Sequence, residues 1–110
     1  MESRITLPIP DRSPAHVLSC ARAVAFRPPK GFKTDQIIDL QYRIEMSRGM
    51  SLASWGEKIT ISVFSAPTGG SVLEIISRPA MPTTLIDYGR GDKNVAIIRD
   101  AIVAQLMAVS

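Results

Sequence analysis

The chain has 110 residues, 45% of them hydrophobic, and a formal net charge of +3 at pH 7. This length and composition exclude a disordered chain and predict one domain, residues 1–110. Its core is large enough to fold without disulfides or a structural metal ion. The mild basic excess is not that of a typical nucleic-acid-binding protein, and the single cysteine, Cys20, excludes an internal disulfide and a thiolate metal cluster.

The N-terminal segment Met1–Pro10 has no long apolar stretch of the kind found in a signal peptide. No apolar run in the chain approaches the ~20 residues that a membrane helix needs. We therefore expect a cytoplasmic protein without a transmembrane segment.

The first predicted elements are a strand and a helix. Weak alternation of apolar and polar residues over Ser3–Ile9 predicts a short strand. Ser13 followed by Pro14 is typical of an N-cap and the first position of a helix, which we expect to continue to about Phe26.

The clearest alternation is over Gln36–Met46, and it predicts one long strand with one buried and one exposed face. The residues expected on its buried face are Ile38, Leu40, Tyr42, Ile44 and Met46. After a turn, Met50–Phe64 predicts the next strand. Its apolar positions change from even to odd numbers, which predicts a β-bulge near Trp55 and Gly56.

The last predicted strand, Val72–Ser77, is apolar at both odd and even positions. This is expected of a strand covered on both faces or paired with another chain. A long connection, Arg78–Gly91, leads to a final helix from about Asp92 to Ala108. The predicted fold class is α+β: an antiparallel β-sheet with helices packed on one face, in the order β-α-β-β-β-α.

Few residues suggest catalysis. The only histidine, His16, lies one helical turn from Cys20, but Cys20 belongs to the apolar stripe of the helix and is interpreted as a core residue. We predict no catalytic residue, no metal site and no cofactor. Nucleic-acid binding is not favoured either, because the chain has no glycine-aromatic box.

Three features are open to more than one interpretation. Trp55 coincides with the predicted bulge, and the apolar arc of the last helix includes Arg99. Arg99 either lays its stem along the core edge, pairs with an acid such as Asp87, or meets an anionic ligand. The stretch Arg12–Lys33 contains five cationic residues and no acid. It is either a solvated surface or a patch for phosphate or anionic headgroups.

The second half of the chain carries a set of short motifs at characteristic spacing: Ser54–Ile59, Ser77–Pro79, Pro82-Thr83, Asp87–Gly89 and Asn94-Val95. Over roughly Ser54–Leu106 the sequence resembles a family of small uncharacterised bacterial domains. The resemblance implies no reaction. It implies which residues deserve testing: Trp55, Arg78, Asp87, Tyr88 and Asn94.

These features favour a non-enzymatic binding or interaction module with an apolar groove between sheet and helices for an amphipathic small molecule or lipid. Arg78 or Arg99 is expected to meet the polar end of the ligand. The ligand-binding candidates are Trp55, Arg78, Asp87, Tyr88, Asn94 and Arg99. Two alternatives stay open: a structural homodimer formed through Val72–Ser77 or the last helix, and an enzyme using the loop Arg78–Asn94.

Overall fold

The computed structural model describes residues 2–49, 56–80 and 89–108, which form a five-stranded antiparallel sheet and two α-helices. The strands are β1 (Ser3–Ile9), β2 (Phe32–Ile38), β3 (Arg43–Arg48), β4 (Glu57–Ser65) and β5 (Ser71–Pro79). The helices are α1 (Pro14–Phe26) and α2 (Arg90–Ala108). The order of the strands across the sheet is β1-β5-β4-β3-β2, so the first strand of the chain pairs with the last one.

The predicted α+β class is confirmed, as are the antiparallel sheet and the succession of strand, helix, consecutive strands and helix. The run of consecutive strands has one member more than expected, because the prediction of a single strand over Gln36–Met46 is wrong. Ile38 ends β2, a 3-10 turn spans Asp39–Gln41, and Tyr42 takes a left-handed backbone conformation with φ of 50°. The alternation therefore continues through the turn of a hairpin, and Leu40 is 98% exposed instead of lying in the core.

The start of α1 follows from its sequence. The Ser13 hydroxyl accepts a hydrogen bond from the backbone N–H of His16 at 3.1 Å, and Pro14 occupies the first turn, where its missing N–H costs nothing. The helix ends at Phe26, as predicted. The buried residues of α1 form one stripe that packs on the sheet and on α2: Val17, Leu18, Cys20, Ala21, Val24 and Ala25.

The core lies between the sheet and the two helices. Its fully buried aliphatic side chains come from three strands and both helices: Ile44 and Met46, Ile59 and Ile61, Leu73 and Ile75, Val17, Ile98 and Ile102. Burying each such side chain contributes about 1.5–3 kcal/mol. These side chains fill the central layer, so a ligand groove has to lie at the margin of the fold and not above the middle of the sheet.

The apolar character of β5 is explained by its central place. β1 and β4 pair with it on either side along its length, so neither of its hydrogen-bonding edges is left for another chain. Leu73 and Ile75 face the helices, while Ile76 is buried on the opposite face, called here the outer face. The hypothesis that Val72–Ser77 forms a dimer contact by strand pairing is therefore wrong.

A register irregularity does occur in the sheet, but in β2, between Thr34 and Gln36. The predicted bulge falls partly on Trp55, which lies outside the described residues. Gly56, its neighbour, has φ of 74° and directly precedes β4.

Candidate functional site

Three of the six residues proposed as ligand contacts, Trp55, Asp87 and Tyr88, lie outside the described residues. The other three are Arg78, Asn94 and Arg99, and they do not converge. Arg78 lies on the outer face of β5, where its Nη2 is 3.7 Å from Glu2 Oε1. Its neighbour Ser77 faces the core and contacts Asn94, since successive strand residues point to opposite faces.

Arg99 lies on α2, and its Nε donates to Asp100 Oδ1 at 3.0 Å. Both side chains are substantially exposed, so the pair contributes little to stability. Asp87, the acid named from the sequence as an example of a partner for Arg99, is not among the residues that the structure describes.

Asn94 is the centre of a buried polar network at the start of α2, and only 1% of it is exposed. Its Oδ1 accepts from Arg48 Nη1 at 2.9 Å, and its Nδ2 donates to Glu57 Oε1 at 3.1 Å and to Ser77 Oγ at 3.2 Å. The end of β3, the start of β4 and the end of β5 meet at one end of the antiparallel sheet, where the first turns of α2 cover them. This Asn94 cluster consists of Arg48, Glu57, Ser77 and Asn94.

A cleft of about 280 Å³ opens beside the Asn94 cluster and is called here the α2 cleft. The residues that line it are Arg48, Gly49, Glu57, Arg90, Lys93 and Asn94. Arg90 Nη1 is 3.9 Å from Glu57 Oε2, and the Arg48 guanidinium carbon lies 4.7 Å from the centre of the Phe32 ring. Three cationic side chains and one carboxylate thus line the cleft.

Only Asn94 of this cluster was singled out from the sequence. The positions of Arg48 and Glu57 in the alternating pattern of their strands could have identified them. Arg48 shares even numbering with the core residues Ile44 and Met46, and Glu57 shares odd numbering with Ile59. A charged residue in the core register of a strand indicates a buried polar contact.

A second candidate site lies at the opposite end of the sheet, where the β2–β3 turn faces the start of α1. Two cavities, of about 600 Å³ and about 420 Å³, share Ala15, Leu40 and Tyr42. The first is also lined by Ser13, Pro14, Gln41, Val63, Phe64 and Ser65, and the second by Leu18, Ser19, Arg22 and Asp39. Together they are called here the turn groove.

The turn groove exposes apolar side chains that its backbone holds in place. The carbonyl of Tyr42 accepts a hydrogen bond from the Val63 N–H at 3.0 Å, which fixes the turn to β4. The left-handed conformation of Tyr42 costs about 1–3 kcal/mol, and such strained residues cluster at functional sites. Leu40 consequently projects into solvent beside Phe64, which is also exposed.

One end of the turn groove is polar. Arg22 Nε lies 3.6 Å from Asp39 Oδ1, and both side chains are about half exposed. The guanidinium carbon of Arg22 lies 5.9 Å from the centre of the Phe26 ring. An exposed ion pair at this distance contributes about 0–1 kcal/mol. Arg22 can therefore exchange Asp39 for another anion at small cost.

Cys20 lies in the core, where burial raises the pKa of its thiol and the nearby Arg12 charge partly opposes that rise. Within residues 2–49, 56–80 and 89–108, no three histidine, cysteine or acidic side chains are grouped closely enough to hold a metal ion. Neither of the described helices combines the length and the apolar character required to cross a membrane.

No protein-family model matches the chain. No curated protein matches it either. Solved structures do match over nearly the whole chain. An uncharacterised protein from Bacillus thuringiensis has a TM-score of 0.63 at 12% identity, covering 96% of each chain.

Ara h 8.0201 has a TM-score of 0.61 at 14% identity, covering 97% of each chain. Protein MLL2253 from Mesorhizobium loti has a TM-score of 0.61 at 9% identity, covering 100% of this chain and 99% of that one. At these sequence identities, the three structures show that this chain shares their fold.

Proposed function

We propose that this protein is a non-enzymatic binding module for an amphipathic small molecule whose apolar part lies in the turn groove. The observation that carries the proposal is Leu40, which is 98% exposed on a turn held in place by a strained residue. A single exposed leucine needs no explanation. Leu40, however, stands beside exposed Phe64 and partly buried Tyr42 around one concave surface.

The energetics of this surface favour an apolar ligand. Covering a leucine side chain fully contributes about 1.5–3 kcal/mol. The groove is already formed, so a ligand gains this contribution without having to open the packed core. The site lies between α1 and the sheet margin, consistent with a groove between helices and sheet.

The polar end of the ligand is assigned to Arg22. Arg22 lines the second cavity, and its partner Asp39 is weakly held at 3.6 Å. A carboxylate on the ligand can replace Asp39 and form shorter, charge-assisted hydrogen bonds. Arg22 thus takes the role that the sequence suggested for Arg78 or Arg99, neither of which lines this groove.

Titration with dodecanoate, below the concentration at which it forms micelles, tests the proposal by isothermal calorimetry and by amide chemical shifts. We expect Leu40→Ser to weaken binding about tenfold, a loss of about 1.4 kcal/mol. Met107→Ser is the matched control, because Met107 is 78% exposed on α2 and outside the groove. Equal affinities of the wild type and Leu40→Ser would contradict the proposal.

Two further measurements sharpen the result. Arg22→Gln should weaken dodecanoate but leave neutral dodecanol unchanged, because only the carboxylate uses the guanidinium. Sedimentation velocity of the wild type and Leu40→Ser tests whether a second copy covers the same surface. A wild-type dimer that Leu40→Ser converts to monomer would replace the small ligand with a homodimer contact.

A further inference from the structure

We propose that the α2 cleft is a second binding site, separate from the turn groove, which takes the compact oxyanion of a small molecule: a phosphate or carboxylate group. The two sites lie at opposite ends of the sheet, since β3 begins beside the turn groove and ends in the cleft. The inference therefore does not depend on the proposed function.

The charges lining the cleft favour an anion. Three cationic side chains, those of Arg48, Arg90 and Lys93, line it together with one acid, Glu57. The carboxylate of Glu57 is already engaged. Asn94 Nδ2 donates to its Oε1 at 3.1 Å, and Arg90 Nη1 lies 3.9 Å from its Oε2.

Arg48 departs from the pattern of the other partly buried arginines. The described part of the chain contains five partly buried arginines, Arg48 included. The other four have a carboxylate oxygen within 4.0 Å: Arg12, Arg22, Arg43 and Arg99. Arg48 instead contacts a neutral amide, Asn94 Oδ1 at 2.9 Å, and the ring of Phe32 at 4.7 Å. Neither Arg48 nor Lys93 forms an ion pair with any residue that the structure describes.

The consequence is a guanidinium that is oriented but not neutralised by any carboxylate in the described part of the chain. One of its N–H groups is used by Asn94, and the ring of Phe32 restricts the plane. A planar guanidinium matches the oxygen spacing of phosphate and carboxylate, and its prior ordering lowers the entropy lost on binding. Lys93, exposed at the edge of the same cleft, adds a second charge without an ion-pair partner among the described residues.

The test is an amide chemical-shift titration with inorganic phosphate, and in parallel with acetate, at constant ionic strength set with chloride. We expect saturable shifts at Arg48, Gly49 and the first turn of α2. Lys93→Gln should weaken phosphate binding about threefold to fivefold, and Arg48→Lys, which keeps the charge but loses the planar fork, about tenfold. Lys30→Gln is the matched control, because Lys30 is exposed and outside the cleft.

The outcomes separate the two sites. Both cleft variants should bind dodecanoate like the wild type, while Leu40→Ser should bind phosphate like the wild type. Stronger binding of phosphate or of acetate identifies the chemical source of the oxyanion. Shifts spread over exposed lysines such as Lys30, or equal phosphate affinity of the wild type and Lys93→Gln, would overturn the inference, even if Arg48→Lys failed to fold.

Discussion

Arg48 and Glu57 lie directly opposite each other on β3 and β4, yet the amide of Asn94 joins them in place of an ion pair. Its oxygen accepts from Arg48 at 2.9 Å, and its nitrogen donates to Glu57 at 3.1 Å. A second hydrogen bond from the same nitrogen reaches Ser77 on β5 at 3.2 Å. One helix residue thus ties α2 to three strands, and it leaves the arginine charge directed at a cleft instead of cancelled by the carboxylate.

Replacing Asn94 by alanine should destabilise the protein by about 3 kcal/mol. Glu57 is only 7% exposed, so it would lose its amide donor without gaining water in exchange. Urea unfolding measures the loss. Gln105→Ala, on the same helix but outside the Asn94 cluster, should change the free energy of unfolding by no more than about 0.5 kcal/mol. A loss for Asn94→Ala no greater than for this control would show that the network is energetically unimportant.

Local signals were enough to predict the first third of the chain. Ser3–Ile9 and the helix from Pro14 to Phe26 have the bounds expected from alternation, from the Ser13 cap and from the prolines that follow the helix. These signals act within a few residues of the element that they specify, so no tertiary information is needed to interpret them.

The turn at Asp39–Gln41 could not be predicted in the same way. Its residues keep the period of two, and the hydrogen bond that fixes the turn comes from Val63, more than twenty residues away. The register irregularity between Thr34 and Gln36 is likewise a property of the pairing with β3. Because tertiary contacts decided both features, the turn groove was not foreseen, and Leu40 was assigned to the wrong environment.

The site at the other end of the sheet was predicted in part. Asn94 was singled out as a ligand-binding candidate, and it lies at the start of α2, where its described partners are on strands. Those partners come from β3, β4 and β5, which the sequence separates by up to 46 residues from Asn94. Only the sheet register brings them together.

Gly70 should not tolerate alanine. Its φ is +76°, and an added Cβ would overlap the backbone of Pro10, which cannot move aside as a flexible side chain could. We expect Gly70→Ala to cost about 3 kcal/mol or more. Gly69→Ala is the matched control, with φ of +97° but nothing within 4 Å of the new Cβ, so only the backbone cost of about 1–2 kcal/mol applies. Equal losses in urea unfolding would contradict the steric explanation.

The Ser13 cap should be measurable by itself. Ser13→Ala removes the acceptor of the His16 N–H and should cost about 1 kcal/mol. Ser13→Asp should retain the stability of the wild type, because a carboxylate also caps and the first turn of α1 contains no other acid. Thermal unfolding of the three proteins gives the comparison. A Ser13→Asp variant as unstable as Ser13→Ala would show that the cap hydrogen bond is not the cause.

Burial of Cys20 predicts a specific dependence on alkaline pH. Burial raises the pKa of the thiol in the folded state, with the Arg12 charge opposing part of the rise, whereas the unfolded chain titrates near the ordinary value of about 8.5. Between these two pKa values the unfolded chain binds fewer protons than the folded one, so the free energy of unfolding falls as the pH increases. The contribution of the protonated thiol to stability is complete below the pKa of the unfolded chain. It is lost as the pH rises from that value through the pKa of the folded protein.

Urea unfolding of the wild type and of Cys20→Ala across this range isolates the effect, because all other titrating groups are common to both. We expect the stability of the wild type to decline more steeply with pH than that of Cys20→Ala. Modification by a disulfide reagent should be slow in the folded protein and fast after denaturation, since the thiolate is both scarce and buried. Parallel pH profiles for the two proteins, together with fast modification of the folded chain, would mean that Cys20 is open to solvent in the native state.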